Sequence, residues 1–282
     1  MALISAKEML LKANKEGYAV GAFNVENMEM IISVVKAAGE MNAPVILQTT
    51  PSTIRYAGLS LYYANVKAVA ENLSVPVAIH LDHGNSFGLA MQALRCGYTS
   101  IMIDGSQMSF EENVEISQKV AEACKSSDIP VEAELGKVGG KEDDTECDSP
   151  GYTEPLDAVR FVKETGVSSL AVAIGTAHGI YKGEPKLDLE RLSEIRKLVS
   201  IPLVLHGASG VSDETVRECI RRGISKVNFA TELRIAYSNG IKRYLEHNPE
   251  TFDPKKYCGV GMEYVTKLVK QKIELCGSKN KA

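Results

Sequence analysis

Eight short apolar runs, separated by helix-like stretches, constrain this chain more than any other feature. They read AVGAFNV from 19, PVILQTT from 44, PVAIHLDH from 76, SIMIDGS from 100, PVEAELG from 130, SLAVAIG from 169, PLVLHGA from 202 and KVNFA from 226. Each is apolar nearly throughout and rich in β-branched residues, as a strand covered on both faces must be. Between them lie stretches with helical spacing, among them MIISVVKAAGEMN, NVEISQKVAEACKSS, PLDAVRFVKETG and LERLSEIRKLV. Four runs open at Pro44, Pro76, Pro130 and Pro202, where a missing N–H ends the preceding helix. Eight alternations of strand and helix predict an α/β chain folded as a closed parallel (β/α)8 barrel. The 282 residues suit that architecture, which commonly takes about 250 as one unit. One domain over residues 1–282 is expected, with the chain beyond Thr231 as a helical extension. A doubly wound open sheet is the competing fold. It is disfavoured because no GxGxxG follows the first run and because polar residues stand at the ends of many runs.

A barrel gathers those ends on one face, where catalysis in this architecture takes place. In chain order they are Asn24, Thr50, Asp82 with His83, Asp104, Glu134, His178, His206 and Asn228. Imidazole suits zinc, and three protein ligands with one open position is the catalytic zinc arrangement. A lone histidine at such a place is ordinarily a hydrogen-bonded core residue. Three of the five histidines in the chain at equivalent strand ends read instead as a metal site. His80 then packs inward, and His247 is a solvated residue at a helix end. Strand alternation sends Asp82 to the face opposite His83, so both serve one site only where the strand ends or bulges. Asp104 and Glu134 have three readings: a second cation, orientation of the ligating imidazoles from behind, or ion pairs with Lys137 or Arg95. Orientation is favoured. No lysine is expected inside a barrel strand, Lys226 merely opening the last one.

Glycine-rich stretches supply a second signal. HGASG at 206–210 precedes Ser212, Asp213 and Glu214, a helix start. KVNFAT at 226–231 ends the last strand, and HGIYKG at 178–183 adds Lys182. Barrels often bind phosphate after their seventh and eighth strands, so a phosphorylated substrate beside a metal is expected. The connection GKVGGKEDDTECDSPGY, from 136, is long, glycine-rich and acidic, and it reads as a mobile active-site loop.

The formal net charge is −4 and no run of Lys or Arg is long enough to track a phosphate backbone, so nucleic acid is a poor partner. No stretch of about 18 apolar residues offers a membrane span. The N-terminal MALISAKEMLLKANKEGY carries charges every few residues, unlike a signal peptide. Six cysteines without a CxxC read as reduced thiols of a cytoplasmic protein.

LDHG at 81–84, EAELGKVGGKEDD at 132–144, AIGTAHGIYKGEP at 173–185, LVLHGASG at 203–210 and KVNFATEL at 226–233 together strongly resemble the class II, zinc-dependent ketose-bisphosphate aldolases. The likeness runs from about residue 3 to 280. It implies cleavage of a ketohexose 1,6-bisphosphate to glycerone phosphate and glyceraldehyde 3-phosphate, with His83, His178 and His206 as zinc ligands. It implies Asp82 as acid/base at the C4 hydroxyl, and Glu142 as the group that moves the C3 proton. Gly179, Lys182, Gly207, Ser209, Asn228 and Thr231 resemble binders of the glycerone phosphate end. Asn24, Thr50, Ala208 and Ala230 are counted with the substrate set, small Ala230 as a residue that tunes the C4 epimer. Carbonyls of Gly179 and Gly207 would also hold a monovalent cation, Na+ or K+. Asp104 and Glu134 match places where relatives put a second divalent ion. A homodimer or homotetramer is implied, with an accessory subunit in the tagatose type.

A lysine Schiff base is the rival means of stabilising the carbanion; with no lysine inside a strand, the metal route is preferred. ATEL at 230–233, IGTAHG at 174–179 and HGASG resemble the tagatose branch, which is favoured. YKGEP at 181–185 with Lys182 resembles the fructose branch of glycolysis. A branch acting on a deoxy-gluconate phosphate is a remote third. A non-catalytic barrel subunit and a zinc hydrolase of a phosphorylated substrate are the readings from other functional classes.

Overall fold

The computed structural model describes residues 3–142, 145–147, 151–179, 181, 183 and 185–282, of which 141, 142 and 145–147 are described by their backbone alone. Its strands are β1 (Val20–Asn24), β2 (Val45–Thr49), β3 (Val77–Gly84), β4 (Ser100–Ile103), β5 (Val131–Leu135), β6 (Gly139–Glu142), β7 (Thr145–Cys147), β8 (Ser169–Val172), β9 (Ala177–His178), β10 (Leu203–Leu205) and β11 (Ile224–Phe229). Eight of them close a parallel barrel in the order β1-β11-β10-β8-β5-β4-β3-β2. The expected (β/α)8 barrel is therefore the observed fold.

Both barrel faces are apolar in the lower half, which explains the unbroken apolar runs. Outward residues such as Phe23, Leu47, Ile79, Ile101, Ala133 and Leu170 join the core beneath the surrounding helices. Inward, Ala22, Ile46 and Ala78 pack against Met9, Leu10 and Ala13 of the first helix, Ala6–Glu16. That helix plugs the lower mouth, and burying its Met9 and Leu10 contributes about 2 kcal/mol each. Beyond the last strand, helices Thr231–His247 and Pro254–Cys276 form the expected extension.

Two expectations are corrected. Lys226 does not open the last strand: β11 begins at Ile224, and Lys226 lies within it, 1% exposed. His178 does not end the sixth barrel strand. That strand, β8, stops at Val172, and His178 belongs to β9, which pairs in parallel with β6 (Gly140 opposite His178), while β6 pairs antiparallel with β7. The described part of the connection after β5 thus includes a strand pair laid beside a candidate ligand. Gly140 makes this approach possible: its φ is +84°, and a Cβ there would strike the His178 carbonyl.

Candidate active site

The end of β3 resolves the conflict between Asp82 and His83. His83 has φ +47°, and the pairing of β3 with β4 shifts register between Leu81 and Gly84. This bulge turns His83 onto the same side as Asp82. A left-handed conformation at a non-glycine residue costs about 1 kcal/mol or more and persists where the surroundings impose it. Gly84 helps to impose it, because a Cβ at that position would meet the Met102 carbonyl.

His83, His178 and His206 come together from β3, β9 and the end of β10. Their ring centroids are 5.0 Å (83–178), 4.8 Å (83–206) and 5.9 Å (178–206) apart, each pair edge to face. One ligand atom from each, with one from Glu134, lies within 4.8 Å of the others. Asp104 Oδ2 accepts a hydrogen bond from His83 Nδ1 at 2.7 Å, and Glu132 Oε1 accepts one from His206 Nε2 at 3.0 Å. These partners leave His83 Nε2 and His206 Nδ1 facing inward. Both atoms, and Glu134 Oε2, are buried without a hydrogen-bond partner, although Glu134 Oε2 lies 3.1 Å from His206 Nδ1. Each orphaned group costs about 1–3 kcal/mol, and one cation among them would satisfy all three. The donor set, three imidazoles beside a carboxylate, fits zinc.

The carboxylates also charge the rings. Burial opposes a proton on His206, yet the bond to Glu132 and the nearby Glu134 carboxylate outweigh that and raise it to about 9. Burial likewise opposes charge on His83, and Asp82 and Asp104 raise it well above 6.5. Burial pushes the Asp82 carboxyl up, but His83, His206 and Lys226 outweigh it and hold Asp82 below the usual carboxylate range.

Both oxygens of Asp82 are gripped. Asn24 Nδ2 donates to Oδ2 at 2.8 Å, and Asn228 Nδ2 donates to Oδ1 at 3.2 Å. Gln48 Nε2 donates to Asn24 Oδ1 at 2.8 Å, which fixes how the Asn24 amide faces. Asn24, Asp82, His83, His178, Gly179, Gly207, Ser209, Asn228, Ala230 and Thr231 line one small cavity. Helix Thr231–His247 starts at its rim with no side-chain cap, so backbone N–H groups there are available to an anion. Thr50 and Ala208 lie outside that lining: Thr50 caps helix Pro51–Ala57, accepting from Thr53 N, and Ala208 is 1% exposed. Lys182 lies outside the described residues, and Glu142 is described only by its backbone, in β6.

Residues 4–281 match the family model described as Fructose-bisphosphate aldolase class-II. The chain belongs to the class II fructose-bisphosphate aldolase family. The YdjI aldolase from Escherichia coli K12 is 35% identical, with 99% of each chain covered and a TM-score of 0.88. A putative fructose-1,6-bisphosphate aldolase from Coccidioides immitis is 30% identical, covering 97% of this chain and 96% of that one, TM-score 0.88. The fructose-bisphosphate aldolase from Campylobacter jejuni is 25% identical, covering 100% and 97%, TM-score 0.85.

This class II aldolase carries site-shaping residues that the sequence reading passed over. Glu132, Gln48 and Tyr181 are three. Tyr181 donates its hydroxyl to the Gly207 carbonyl at 2.8 Å and accepts from Ala177 N at 2.7 Å, tying β9 to the turn after β10. Glu132 and Gln48 each sit in an inward position of an apolar run, and the polar residue at that position was their only signal. His80 is inward and buried as expected, and His247 is exposed, bonded to the Arg243 carbonyl.

Proposed function

We propose that the chain is a zinc-dependent ketohexose 1,6-bisphosphate aldolase, acting as a single unit over residues 1–282. The observation that carries this reading is the convergence of orphaned His83 Nε2 and His206 Nδ1, with His178, beside a carboxylate held at both oxygens. A bound zinc supplies Lewis acidity at the substrate C2 carbonyl oxygen. Asp82 takes the C4 hydroxyl proton as the C3–C4 bond breaks; the Asn24 and Asn228 amides hold its carboxylate ionised and aimed. Glu142, on the hairpin paired with β9, delivers the proton to C3. The glycerone phosphate group docks on Gly179, Gly207, Ser209 and Thr231, at the uncapped start of helix Thr231–His247, with Lys182 adding charge. Asp104 orients His83, and Glu134 approaches His206. Asn24 acts through Asp82, and Thr50 and Ala208 support the turns behind the site.

Tagatose 1,6-bisphosphate is the favoured substrate, supported by the ATEL, IGTAHG and HGASG stretches. The fructose epimer is the second reading, favoured by YKGEP and by the names of the Coccidioides immitis and Campylobacter jejuni relatives. Triose phosphate release in a coupled assay with each sugar tests both. The ratio of kcat/KM ranks them; no release from either sugar refutes aldolase activity and leaves the hydrolase or non-catalytic reading. Light scattering reads the homodimer or homotetramer that the resemblance implies.

A further inference from the structure

Beneath the three histidines lies a second polar layer, sealed from solvent. Lys226 Nζ donates to Glu132 Oε2 at 2.8 Å and to His80 Nε2 at 3.3 Å. His80 Nδ1 meets Ser100 Oγ at 2.7 Å. Glu132 Oε1 takes the remaining bond, from His206 Nε2 at 3.0 Å. His80, Glu132, His206 and Lys226 are each at most 2% exposed. The chain runs β4, β3, β11, β5, β10 across the barrel interior.

A buried ion pair is a poor source of stability, because desolvation of both charges offsets their attraction. Its geometry here serves something else. Glu132 has two oxygens and two assigned donors, one on each. The Lys226 ammonium occupies Oε2, so Oε1 alone faces His206. In the neutral ring, the form that binds metal, accepting from Nε2–H selects one tautomer and leaves Nδ1 as the lone-pair nitrogen, turned toward His83 and His178. The neutral His80 acceptor in turn fixes the Lys226 ammonium from the other side.

We propose that Lys226 and Glu132 are positioning residues that lock His206 with Nδ1 presented for metal, so that zinc affinity is set from the layer below the site. The proposal rests on the zinc reading above. It is tested on the whole chain with zinc alone, by chelator competition on the stripped protein and by the rate of zinc loss to excess EDTA. Glu132→Leu with Lys226→Met removes both charges at similar volume. Zinc binding is expected to weaken 10–100-fold, the usual cost of losing a ligand's outer partner, with faster loss to match. Glu132→Gln with Lys226→Met restores an oxygen for His206 Nε2–H and is expected to recover most of that affinity. Nitrogen NMR of the metal-free protein well above pH 9, where the His206 ring is neutral, should show it protonated on Nε2 in the parent and in the Gln variant, and mixed in the Leu variant. Equal binding by parent and a folded Leu variant overturns the proposal, as does equal loss in the Leu and Gln variants. If the Leu variant does not fold, the single Lys226→Met carries the test: zinc loss about tenfold faster is expected, and an unchanged rate overturns it. A parent that binds no zinc refutes the underlying reading instead.

Discussion

Replacing Asp82 by alanine separates the chemistry from the metal. Asp82 is 2% exposed and holds two amides, Asn24 Nδ2 at 2.8 Å and Asn228 Nδ2 at 3.2 Å. Truncation leaves both donors without their acceptor, which costs about 1–3 kcal/mol each where water is excluded. Here Asp82 borders the cavity, so water can enter and bond them, and the desolvation cost of the carboxylate disappears. The fold should therefore lose about 1–2 kcal/mol, a few degrees in Tm for a chain of this size. His83, His178, His206, Glu134 and Asp104 are untouched, so zinc content should stay near the parent's. Proton transfer by a positioned group accelerates such a step by about 10²–10⁴, a barrier difference of about 3–5 kcal/mol. We expect kcat to fall by that factor, with KM changed far less, because Asp82 acts at the C4 hydroxyl rather than at the phosphate. The assay is coupled release of triose phosphate from zinc-loaded protein, with metal content measured on the same sample. A kcat within tenfold of the parent at full zinc loading refutes the role of Asp82. So does a loss of activity that tracks a loss of zinc.

EDTA should abolish cleavage and added zinc restore it; full activity in metal-free protein would refute the metal route. Glu142→Ala should slow exchange of the C3 proton of glycerone phosphate by about 10²–10⁴, and unchanged exchange would remove Glu142 from that step. Apparent zinc affinity should rise between pH 6.5 and about 9, because His206, raised to about 9, and His83, also raised, must give up protons to bind metal, up to about one decade per pH unit for each. The same raised values mean that these contacts stabilise the metal-free fold fully below about pH 6.5 and cease to do so as pH climbs through about 9; a flat profile in both measurements would contradict the charged pairs. Gly84→Ala should lower Tm and zinc content together, since its Cβ would collide with the Met102 carbonyl and come within 2.9 Å of Leu81 Cδ2. Overpacking of this kind costs about 1–3 kcal/mol, and a parental Tm with full zinc content would show that the approach is not required.

The barrel was legible because every strand meets the same surroundings, apolar on both faces, and every strand therefore carries the same signature. The site was legible only where the strand ends follow that rule. His206 directly follows β10 and joins the ligand cluster, and Asn228, near the end of β11, reaches the cavity, as their positions imply. His178 broke the rule. Its strand, β9, exists by pairing with β6 across a long stretch of sequence, and no local pattern in AIGTAHG announces such a partner. His83 needed a left-handed φ and a shifted register between β3 and β4, which depend on Met102 and Gly84 meeting in space. Sequence alternation could state only the condition, that the strand must bulge.

Lys226 is the more instructive miss, because its signal was present. In a strand covered on both faces, a charged residue must point inward or find a partner in the core. VEAEL places Glu132 two residues before Glu134, VAIHLDHG places His80 two before Asp82, and ISKVNF places Lys226 two before Asn228. A step of two returns a side chain to the same face. Three strands thus each send one residue to the cavity rim or the ligand cluster, and a second to the layer beneath it. The lower residues find one another: Lys226 meets both Glu132 and His80. Each charge there is tolerable only because the others are present, so the lower layer is bound to the upper one through Glu132 and His206. A substitution at Lys226 should therefore be felt at the ligand cluster, even though Lys226 lines no part of the cavity.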